Sequence, residues 1–277
     1  MKKLFSLLLG LLACHAHAQV TIDVDLSRQG HSVSPTLYGI FFEDINHAAD
    51  GGLYAELIRN RSFEEIPSDG RRRGDQRRAE HRSETTAWSA VGSAEIGLTT
   101  EELLNEAQGH ALKLNVRKAG DGVQNEGFWG IHAQNGSQYS LSFWVRCTEG
   151  NPGQLTAALV DKDGNSLGDV LITKKIGKKW QKVEAKFVCT GDDPQAQFRL
   201  TAERPCQLML DVVSLFPPTF KNRPNGMRPQ LAQMLAELHP QFMRFPGGCF
   251  VEGQFAPENA YHWQRTVGPI EQRPGHL

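Results

Sequence analysis

Two charged side chains that directly follow apolar runs are the first candidates for chemistry. Arg244 lies in FMRFPGGCFVEG, residues 242–253, between apolar residues and a Pro-Gly-Gly turn. Glu43 follows the apolar run of GIFFEDIN, residues 39–46. In a β/α barrel the carboxyl ends of the buried strands face the active site, so both residues would stand there. Arginine and carboxylate groups at that edge could bind a hydroxylated ligand, and the glycines would let the backbone approach it.

A plainer interpretation uses the same two residues. A charged group buried without a partner is costly, so Arg244 and Glu43 could simply form an ion pair that closes one end of a barrel. The spacing of the residues does not separate a ligand site from such a pair. Both interpretations remain open on the residues alone.

Hydrophobic periodicity indicates which elements would position these residues. VTIDVDLS, residues 20–27, alternates apolar and polar residues and predicts a half-buried strand. Residues 39–46 predict a fully buried strand that ends in polar groups. In residues 51–64, apolar side chains recur at helical spacing after two glycines and predict a helix.

A run of short strands is predicted between residues 85 and 217. The segments alternate with a period of two and are separated by turn sequences such as AQNGS and TGDDP. Strands of this length and spacing are typical of an antiparallel β-sandwich. One turn, DKDGN, has acidic spacing reminiscent of a calcium loop, but it lacks the closing glutamate of an EF-hand. A hairpin turn explains it better.

The pattern returns to helix and strand after residue 217. A helix is predicted with Pro229 in its first turn and with His239-Pro240 after its end. Its apolar face comprises Met227, Leu231, Met234, Leu235 and Leu238. Residues 241–245 predict the next strand. The sequence therefore predicts a β/α domain that is interrupted by an inserted β-sandwich.

The composition argues against several classes of partner. The 277 residues carry a formal net charge of −1, which gives no reason to expect a nucleic-acid or membrane-surface partner. The basic run RRRGDQRRAEHR, residues 71–82, has no interleaved aromatic residues and is interpreted as a solvated loop. No segment is long and apolar enough to predict a membrane span.

The N-terminal segment predicts export. MKKLFSLLLGLLACHAHAQ combines two lysines, a short apolar run and an A-x-A site, so residues 1–18 are predicted to be a signal peptide. The alternative is a lipoprotein signal, LLAC, in which Cys14 would carry a lipid anchor. The expected location is periplasmic or extracellular, with lipid anchoring as the alternative.

The other cysteines are Cys147, Cys189, Cys206 and Cys249. An exported protein can form disulfides, and the first three lie in predicted strands of one region, so a pair among them is one interpretation. Small buried hydrophobic residues are the other interpretation. No C-x-x-C spacing suggests zinc, and neither a metal nor a cofactor is predicted.

The sequence resembles a known family along nearly all of the mature chain. SPTLYGIFFEDINHAADGGLYAELIRNRSFE, FMRFPGGCFVEG and TVGPIEQRPGHL are similar to glycoside hydrolase family 51, the α-L-arabinofuranosidases. The similarity is closest to the branch shared by plant and gut-type bacterial enzymes. LMLDVVSLFP resembles the end of a carbohydrate-binding module. The resemblance implies a (β/α)8 TIM barrel interrupted by this sandwich, and a second β-sandwich to which residues 20–27 contribute a strand.

The resemblance also implies roles for individual residues. Glu43 matches a glutamate that hydrogen-bonds the arabinofuranose in the −1 subsite, and Arg244 matches an arginine that supports the catalytic carboxylates. Cys249 stands where many members have a substrate-contacting asparagine. The most similar branch has cysteine there, and a thiol is a weak donor. Trp263 matches a loop that often walls the sugar site, although an ordinary packed tryptophan fits equally.

The family's retaining mechanism needs two glutamates that this sequence does not match. One is an acid/base after the fourth barrel strand and the other is a nucleophile after the seventh. Glu252 matches neither position and receives no catalytic role. We therefore expect the chain to be the N-terminal portion of an exported enzyme and to be inactive by itself. Its barrel strands are expected to expose sheet edges and apolar faces.

The resemblance implies five segments and a partner. The segments are a signal peptide at 1–18, the N-terminal strand and first βα unit at 19–70, a basic loop at 71–84, the carbohydrate-binding-like sandwich at 85–217 and the continuation of the barrel at 218–277. The implied partner is an arabinose-containing polysaccharide or oligosaccharide, in keeping with L-arabinose metabolism. A homo-oligomer of the longer enzyme is compatible with the family.

A different class of function remains open. The protein could be a secreted sugar-binding protein whose sandwich stacks Trp129, Trp144 or Trp180 on sugar rings. Aromatic residues in strands are more often core residues, and the presence of both Glu43 and Arg244 favours an enzyme. A structural or adhesive surface protein would leave those two residues without an explanation.

Overall fold

The structure, a computed structural model, describes five stretches of the chain. They are residues 20–44, 47–65, 85–249, 251–253 and 260–274. The predicted signal peptide with Cys14 and the whole of the predicted basic loop at 71–84 lie outside the described residues. The chain forms two compact units, Met1–Leu37 and Tyr38–Leu277.

The first unit contains no regular strand or helix in its described residues, 20–37. The Asp25 carboxylate accepts a hydrogen bond from the Ser27 N–H at 2.9 Å, and its other oxygen lies 3.6 Å from Arg28 Nε. These contacts form a local turn. The half-buried strand predicted at 20–27 is therefore wrong, because these residues form no strand and their apolar side chains are exposed.

The second unit is built mostly from strands. In chain order they are β1 Ile40–Phe41, β2 Trp88–Val91, β3 Glu95–Thr99, β4 Ala111–Val116, β5 Gly122–Asn125, β6 Ile131–Ala133, β7 Gln138–Gly150, β8 Leu155–Val160, β9 Ser166–Ile172, β10 Gln181–Val188, β11 Asp193–Ala202, β12 Cys206–Phe216 and β13 Met243–Arg244. The helix α1 spans Pro229–Glu237, and 3₁₀ turns cover Phe220–Asn222, Trp263–Thr266 and Ile270–Gln272. No helix in the described residues is long and apolar enough to cross a membrane.

Two antiparallel sheets form a β-sandwich, which confirms the prediction from the period-two pattern. One sheet has the order β10-β7-β12-β4-β3, and the other has the order β2-β5-β11-β8-β9 with β6 paired to β11. The DKDGN turn connects the antiparallel strands β8 and β9, so its interpretation as a hairpin turn is also confirmed.

The core of the sandwich follows from the alternation of side chains along the strands. In β7 the side chains of Tyr139, Leu141, Phe143 and Val145 are buried, whereas the residues between them are more exposed. Residues from both sheets join one hydrophobic core. Each large apolar side chain contributes about 1.5–3 kcal/mol when it is fully buried.

The helix predicted at residues 51–64 is wrong. The segment forms turns and irregular structure, and Leu57, Ile58 and Phe63 are buried in the core of the sandwich. The spacing of the apolar residues indicated burial correctly. However, the surface that covers them belongs to the sandwich, and the segment reaches it without forming a helix.

Glu56 fixes this segment against the end of β12. Its Oε1 atom accepts three backbone N–H bonds at 2.9–3.0 Å, two from the residues that follow it and one from Leu215. Its Oε2 atom accepts the Ser214 hydroxyl and lies 3.6 Å from Arg61 Nη1. Burial raises the pKa of Glu56, and the Arg61 guanidinium opposes that shift. The chain after β1 is thereby tied to the sandwich by a carboxylate that is 2% exposed.

The strands β1 and β13 form a separate two-stranded parallel sheet. Each has two residues, fewer than the runs predicted at 39–46 and 241–245. A parallel pair requires a crossover connection, and here the whole sandwich and α1 lie between the two strands. This pairing is the one a β/α domain needs, but two strands do not by themselves define a TIM barrel.

The helix α1 begins with Pro229 at its first position, as predicted. Most of its predicted apolar face is exposed rather than buried. The exposed residues are Leu231, Met234 and Leu238, with Met227 just before the helix. Ala232 is the buried residue of this helix. The apolar face therefore lacks a covering layer within the described residues.

Cys147, Cys189 and Cys206 are buried and free, so no disulfide joins them. Burial raises the pKa of the Cys206 thiol to about 12, which keeps it protonated at neutral pH. The interpretation as small buried hydrophobic residues is confirmed for these three.

Asp211 is a buried acid in the middle of β12. Its Oδ1 atom accepts the Val212 N–H at 2.7 Å, whereas its Oδ2 atom has no partner among the described residues. Its cross-strand neighbour Trp144 has a buried indole N–H that is also unpartnered there. Burial raises the pKa of Asp211 to about 8, so the folded protein holds this carboxyl protonated at neutral pH.

We predict that Glu56→Ala lowers the free energy of unfolding by about 3–5 kcal/mol, because it leaves the Arg61 charge and the N–H groups of Ile58 and Leu215 without the carboxylate that accepts them. Urea unfolding followed by tryptophan fluorescence measures this loss. Glu149→Ala is the matched control, since Glu149 is exposed and bonds only Gln207 at the surface. A loss below 1 kcal/mol for Glu56→Ala would contradict the role of the carboxylate as the anchor.

We predict that Asp211→Asn removes a pH-dependent loss of stability. The folded-state pKa is about 8 and the ordinary value is 3.8, so between these values the unfolded state releases a proton that the folded state keeps. Stability therefore falls as pH rises through this window, by up to about 1.4 kcal/mol per pH unit. The Asn variant should have a Tm several degrees above the unchanged protein at pH 8 and an equal Tm near pH 4. If the Tm difference between the Asn variant and the unchanged protein were the same at pH 8 and at pH 4, the claim that the folded protein holds Asp211 protonated would be contradicted.

Candidate active site

The parallel pairing of β1 and β13 brings the two charged residues of the sequence motifs to one edge. Phe41 pairs with Arg244, and the Phe42 N–H donates to the Arg244 carbonyl at 2.9 Å. Glu43 lies just beyond this pair, at the carboxyl end of β1. The Pro-Gly-Gly turn begins just after Arg244, at the carboxyl end of β13.

Glu43 packs directly against the glycine turn. Its side chain is half-buried, and a Cβ atom built on Gly247 would overlap it. Gly247 is buried and has a φ of +105°, a backbone conformation that favours glycine. Gly248, the next residue, has open space around its missing side chain. The position of Glu43 thus requires glycine at residue 247, whereas residue 248 has room for a side chain.

Arg244 does not pair with Glu43 among the described residues. Its guanidinium carbon lies 4.9 Å from the centroid of the Phe41 ring, its cross-strand neighbour, and the side chain is exposed. The cation therefore rests on an aromatic face, which leaves its N–H donors available. The plain ion pair that the sequence also allowed is not formed here.

Cys249 and Trp263 both follow β13 in the sequence, and both side chains are exposed. Cys249 is a free thiol after the glycine turn, and Trp263 opens a 3₁₀ turn, Trp263–Thr266. Within the described residues, no hydrogen bond or ring contact joins either of them to Glu43 or Arg244. The structure thus brings together Glu43, Gly247 and the end of β13, and among the described residues it shows no direct contact between Glu43 or Arg244 and the other two candidates.

Local hydrogen bonds connect Asp44 with the segment at residues 48–53. The Asp44 carboxylate accepts the Ala49 N–H at 2.9 Å, and the Leu53 N–H donates to the Ala48 carbonyl at 2.8 Å. These bonds hold His47 next to the sandwich. The His47 ring lies 5.3 Å from the Phe128 ring.

Trp129 also contacts this loop, and sequence reasoning missed the contact. Its ring lies 5.5 Å from the His47 ring at an interplanar angle of 80°. The sequence offered Trp129 only as one of three tryptophans that could stack on a sugar. Nothing in the residues signalled that it would stand beside the loop after Glu43, because the two segments are distant along the chain.

The other two tryptophans of the sandwich are less available. Trp144 is half-buried, and its indole N–H is buried without a partner in the described residues. Trp180 is half-buried, and its indole N–H donates to the Glu102 carbonyl at 2.9 Å. Trp129, with 66% of its surface exposed, is the one of the three that presents a broad aromatic surface.

A groove of about 540 Å³ runs between the edge strands β9 and β10. Its walls are residues 170–174 and 182–186, which include three lysines and no aromatic residue. Sugar-binding clefts usually include aromatic side chains, so this groove is a poor candidate for a carbohydrate site. No group of three or more His, Cys, Asp and Glu side chains in the described chain could hold a metal ion.

Comparison with known proteins places the chain in a family. A family profile described as "Carbohydrate binding domain" matches residues 55–207, and a profile described as "Alpha-L-arabinofuranosidase 1 domain" matches residues 234–277. The first match includes the segment around Glu56 and strands β2 to β11 of the sandwich, and it ends at the start of β12. The second includes the last four residues of α1, strand β13 and the glycine turn.

Individual relatives agree with these matches. The chain is 37% identical over 271 residues to "Alpha-L-arabinofuranosidase 1" of Arabidopsis thaliana, covering 93% of this chain and 38% of the relative. It is 37% identical over 274 residues to "Extracellular exo-alpha-L-arabinofuranosidase" of Streptomyces chartreusis, covering 93% of this chain and 31% of the relative.

A solved structure is similar along most of the chain. The structure of an arabinose-bound GH51 α-L-arabinofuranosidase matches with a TM-score of 0.79 and 33% identity, covering 90% of this chain and 40% of that one. The chain therefore spans less than half the length of each of these relatives. The carbohydrate-binding family covers more than half of the chain, so the chain belongs to that family, and over about nine tenths of its length it is homologous to part of the glycoside hydrolase family 51 α-L-arabinofuranosidases.

Proposed function

We propose that the protein containing this chain is an exported, retaining α-L-arabinofuranosidase. It releases terminal L-arabinofuranosyl residues from the non-reducing ends of plant polysaccharides such as arabinan and arabinoxylan. The observation that carries the proposal is the meeting of Glu43 and the glycine turn of β13 at the carboxyl end of a parallel strand pair. The names of the relatives support the reaction, and the Streptomyces relative is named extracellular.

In this proposal the described residues bind the sugar and do not attack it. Glu43 accepts hydrogen bonds from hydroxyl groups of the arabinofuranose. Arg244 supplies donors to the catalytic carboxylates, and Cys249 borders the same subsite. The bare backbone at Gly247 lets Glu43 sit close to the turn. No metal or cofactor takes part in this chemistry.

The bond-breaking groups belong to the family's mechanism. One glutamic acid protonates the leaving oxygen, and a second glutamate attacks the anomeric carbon to form a covalent intermediate that water hydrolyses. Neither residue has a match in residues 1–277, so we propose that the isolated chain binds at most weakly and has no turnover. The barrel is proposed to start with β1, and the sandwich to be its insertion.

A second candidate function is carbohydrate binding through the sandwich alone. The match of residues 55–207 to a carbohydrate-binding profile and the exposure of Trp129 favour it. In that case, binding of arabinoxylan would survive Glu43→Ala and fail in Trp129→Ala, and the whole protein would not release arabinose.

We predict that Glu43→Ala in the whole protein lowers kcat/KM for 4-nitrophenyl α-L-arabinofuranoside about tenfold to a hundredfold. A hydrogen bond to a charged group contributes about 1.5–3 kcal/mol, which corresponds to that range. Glu252→Ala is the control and should keep the unchanged activity, because Glu252 is an exposed glutamate that matches no catalytic position. A loss below twofold for Glu43→Ala would contradict its role in the sugar site.

We predict that Gly247→Ala displaces Glu43 and lowers the same kcat/KM by about tenfold to a hundredfold, because small errors in position are costly in an active site. The added methyl group would overlap the Glu43 side chain and would require a strained φ of +105°. Gly248→Ala is the neighbouring control, since it has open space and an ordinary φ. Equal activity of the two variants would show that the Glu43 position does not depend on the turn.

A further inference from the structure

Trp129 is an exposed aromatic residue on a stiff loop of the sandwich. The loop turns between Gly127 and Gly130, both with positive φ, and the Gly130 N–H donates to the Glu126 carbonyl at 3.1 Å. Trp129 is 66% exposed on this turn, and exposed apolar surface of this kind often marks a binding site. The indole is therefore suited to receive a flat ligand.

The base of this loop is joined to the segment that leaves β1. Asn125 is fully buried, and its side-chain amide donates to the Arg59 carbonyl at 2.9 Å. The same side chain accepts the Gly127 N–H at 2.9 Å. One buried amide thus fixes the tryptophan loop to the chain that follows Glu43.

The tip of the loop is also packed against the chain that follows β1. The Phe128 ring lies against the backbone of Gly51, where a Cβ atom would overlap it. The ring of Trp129 meets His47 edge to face at 5.5 Å. The three rings of His47, Phe128 and Trp129 form one aromatic cluster, which we name the loop platform.

The chain between Glu43 and His47 limits the distance from the loop platform to the candidate sugar site. His47 follows Glu43 by four residues, and four residues span at most about 14 Å. With the side chain of His47 and the 5.5 Å ring separation added, the Trp129 ring lies within about 25 Å of the Glu43 backbone. A polysaccharide a few sugar units long covers that distance.

We propose that Trp129 is a distal subsite of the arabinofuranosidase, where its indole stacks on a pyranose ring of the polysaccharide main chain whose arabinofuranosyl branch reaches Glu43. The proposal rests on the proposed function. A pyranose chair has a flat face of C–H groups that matches an indole, whereas the smaller furanose has no such face. The location of Trp129 within the carbohydrate-binding match, residues 55–207, agrees with this occupant.

The test compares a small and a polymeric substrate in the whole protein. Trp129→Ala should lower the ratio of kcat/KM for arabinoxylan to kcat/KM for 4-nitrophenyl α-L-arabinofuranoside by about threefold to tenfold. The loss should appear mainly in the KM for arabinoxylan. Trp129→Phe should recover most of the ratio, because it keeps an aromatic face. Leu171→Ala, which removes a similarly exposed apolar side chain from β9, should leave the ratio unchanged.

Three other outcomes are distinguishable. An unchanged ratio in Trp129→Ala, with wild-type turnover of both substrates, would overturn the subsite and leave the proposed function intact. An equal loss on both substrates together with a lower Tm would mean that another part of the protein covers Trp129, and would also overturn the subsite. Absence of wild-type turnover on both substrates would overturn the proposed function itself.

The fluorescence of Trp129 tests binding of the polymer at this residue without measuring activity. Arabinoxylan should protect the exposed indole from acrylamide quenching in the unchanged protein, and this protection should be lost in Trp129→Ala. Protection that persists in the Ala variant would place the bound polymer elsewhere and would contradict the proposal.

Discussion

The buried carboxylate of Glu56 is the contact on which the arrangement of the second unit depends. It accepts three backbone N–H groups and one hydroxyl, and it faces the Arg61 guanidinium. These partners belong both to the chain that leaves β1 and to the end of β12. A buried charge of this kind is tolerated only when its acceptors are filled, so the two segments must keep their relative position.

The same contacts fix the sandwich to the chain that leaves β1. Because the chain after β1 enters the sandwich core through Leu57 and Ile58, the loop that begins at Glu43 has a fixed end. The same segment holds the tryptophan loop through Asn125. The sandwich is therefore joined to the chain that leaves β1 by buried contacts, and it is not a module on a free linker.

Much of this fold was predictable from the sequence, and the failures have physical causes. Alternation predicted the sandwich, and Pro229 marked the start of α1, because both signals are local. The apolar spacing at 51–64 predicted burial but gave the wrong element, since a helix and an irregular segment can bury the same residues. The strand predicted at 20–27 was wrong because alternation of apolar and polar residues indicates which side chains would share a face, but it does not indicate a partner strand.

The candidate site was likewise predictable only where local sequence signals determine it. The sequence motifs identified Glu43, Arg244 and the glycine turn, and the parallel strand pair brings their backbones together. The sequence did not reveal that Arg244 would rest on Phe41, since that contact depends on strand register. It also did not reveal the contact of Trp129 with His47, since that contact depends on how the sandwich meets the loop.

Native-state hydrogen exchange of the amides bonded to Glu56 tests the central claim most directly. If the carboxylate joins the chain after β1 to the sandwich, the amides of Leu57, Ile58 and Leu215 should exchange only with the opening free energy of the core strands β7 and β12. Exchange of Leu57 and Ile58 as fast as that of the exposed turn at Ser27 would contradict the claim, because the two segments would then separate without unfolding the core.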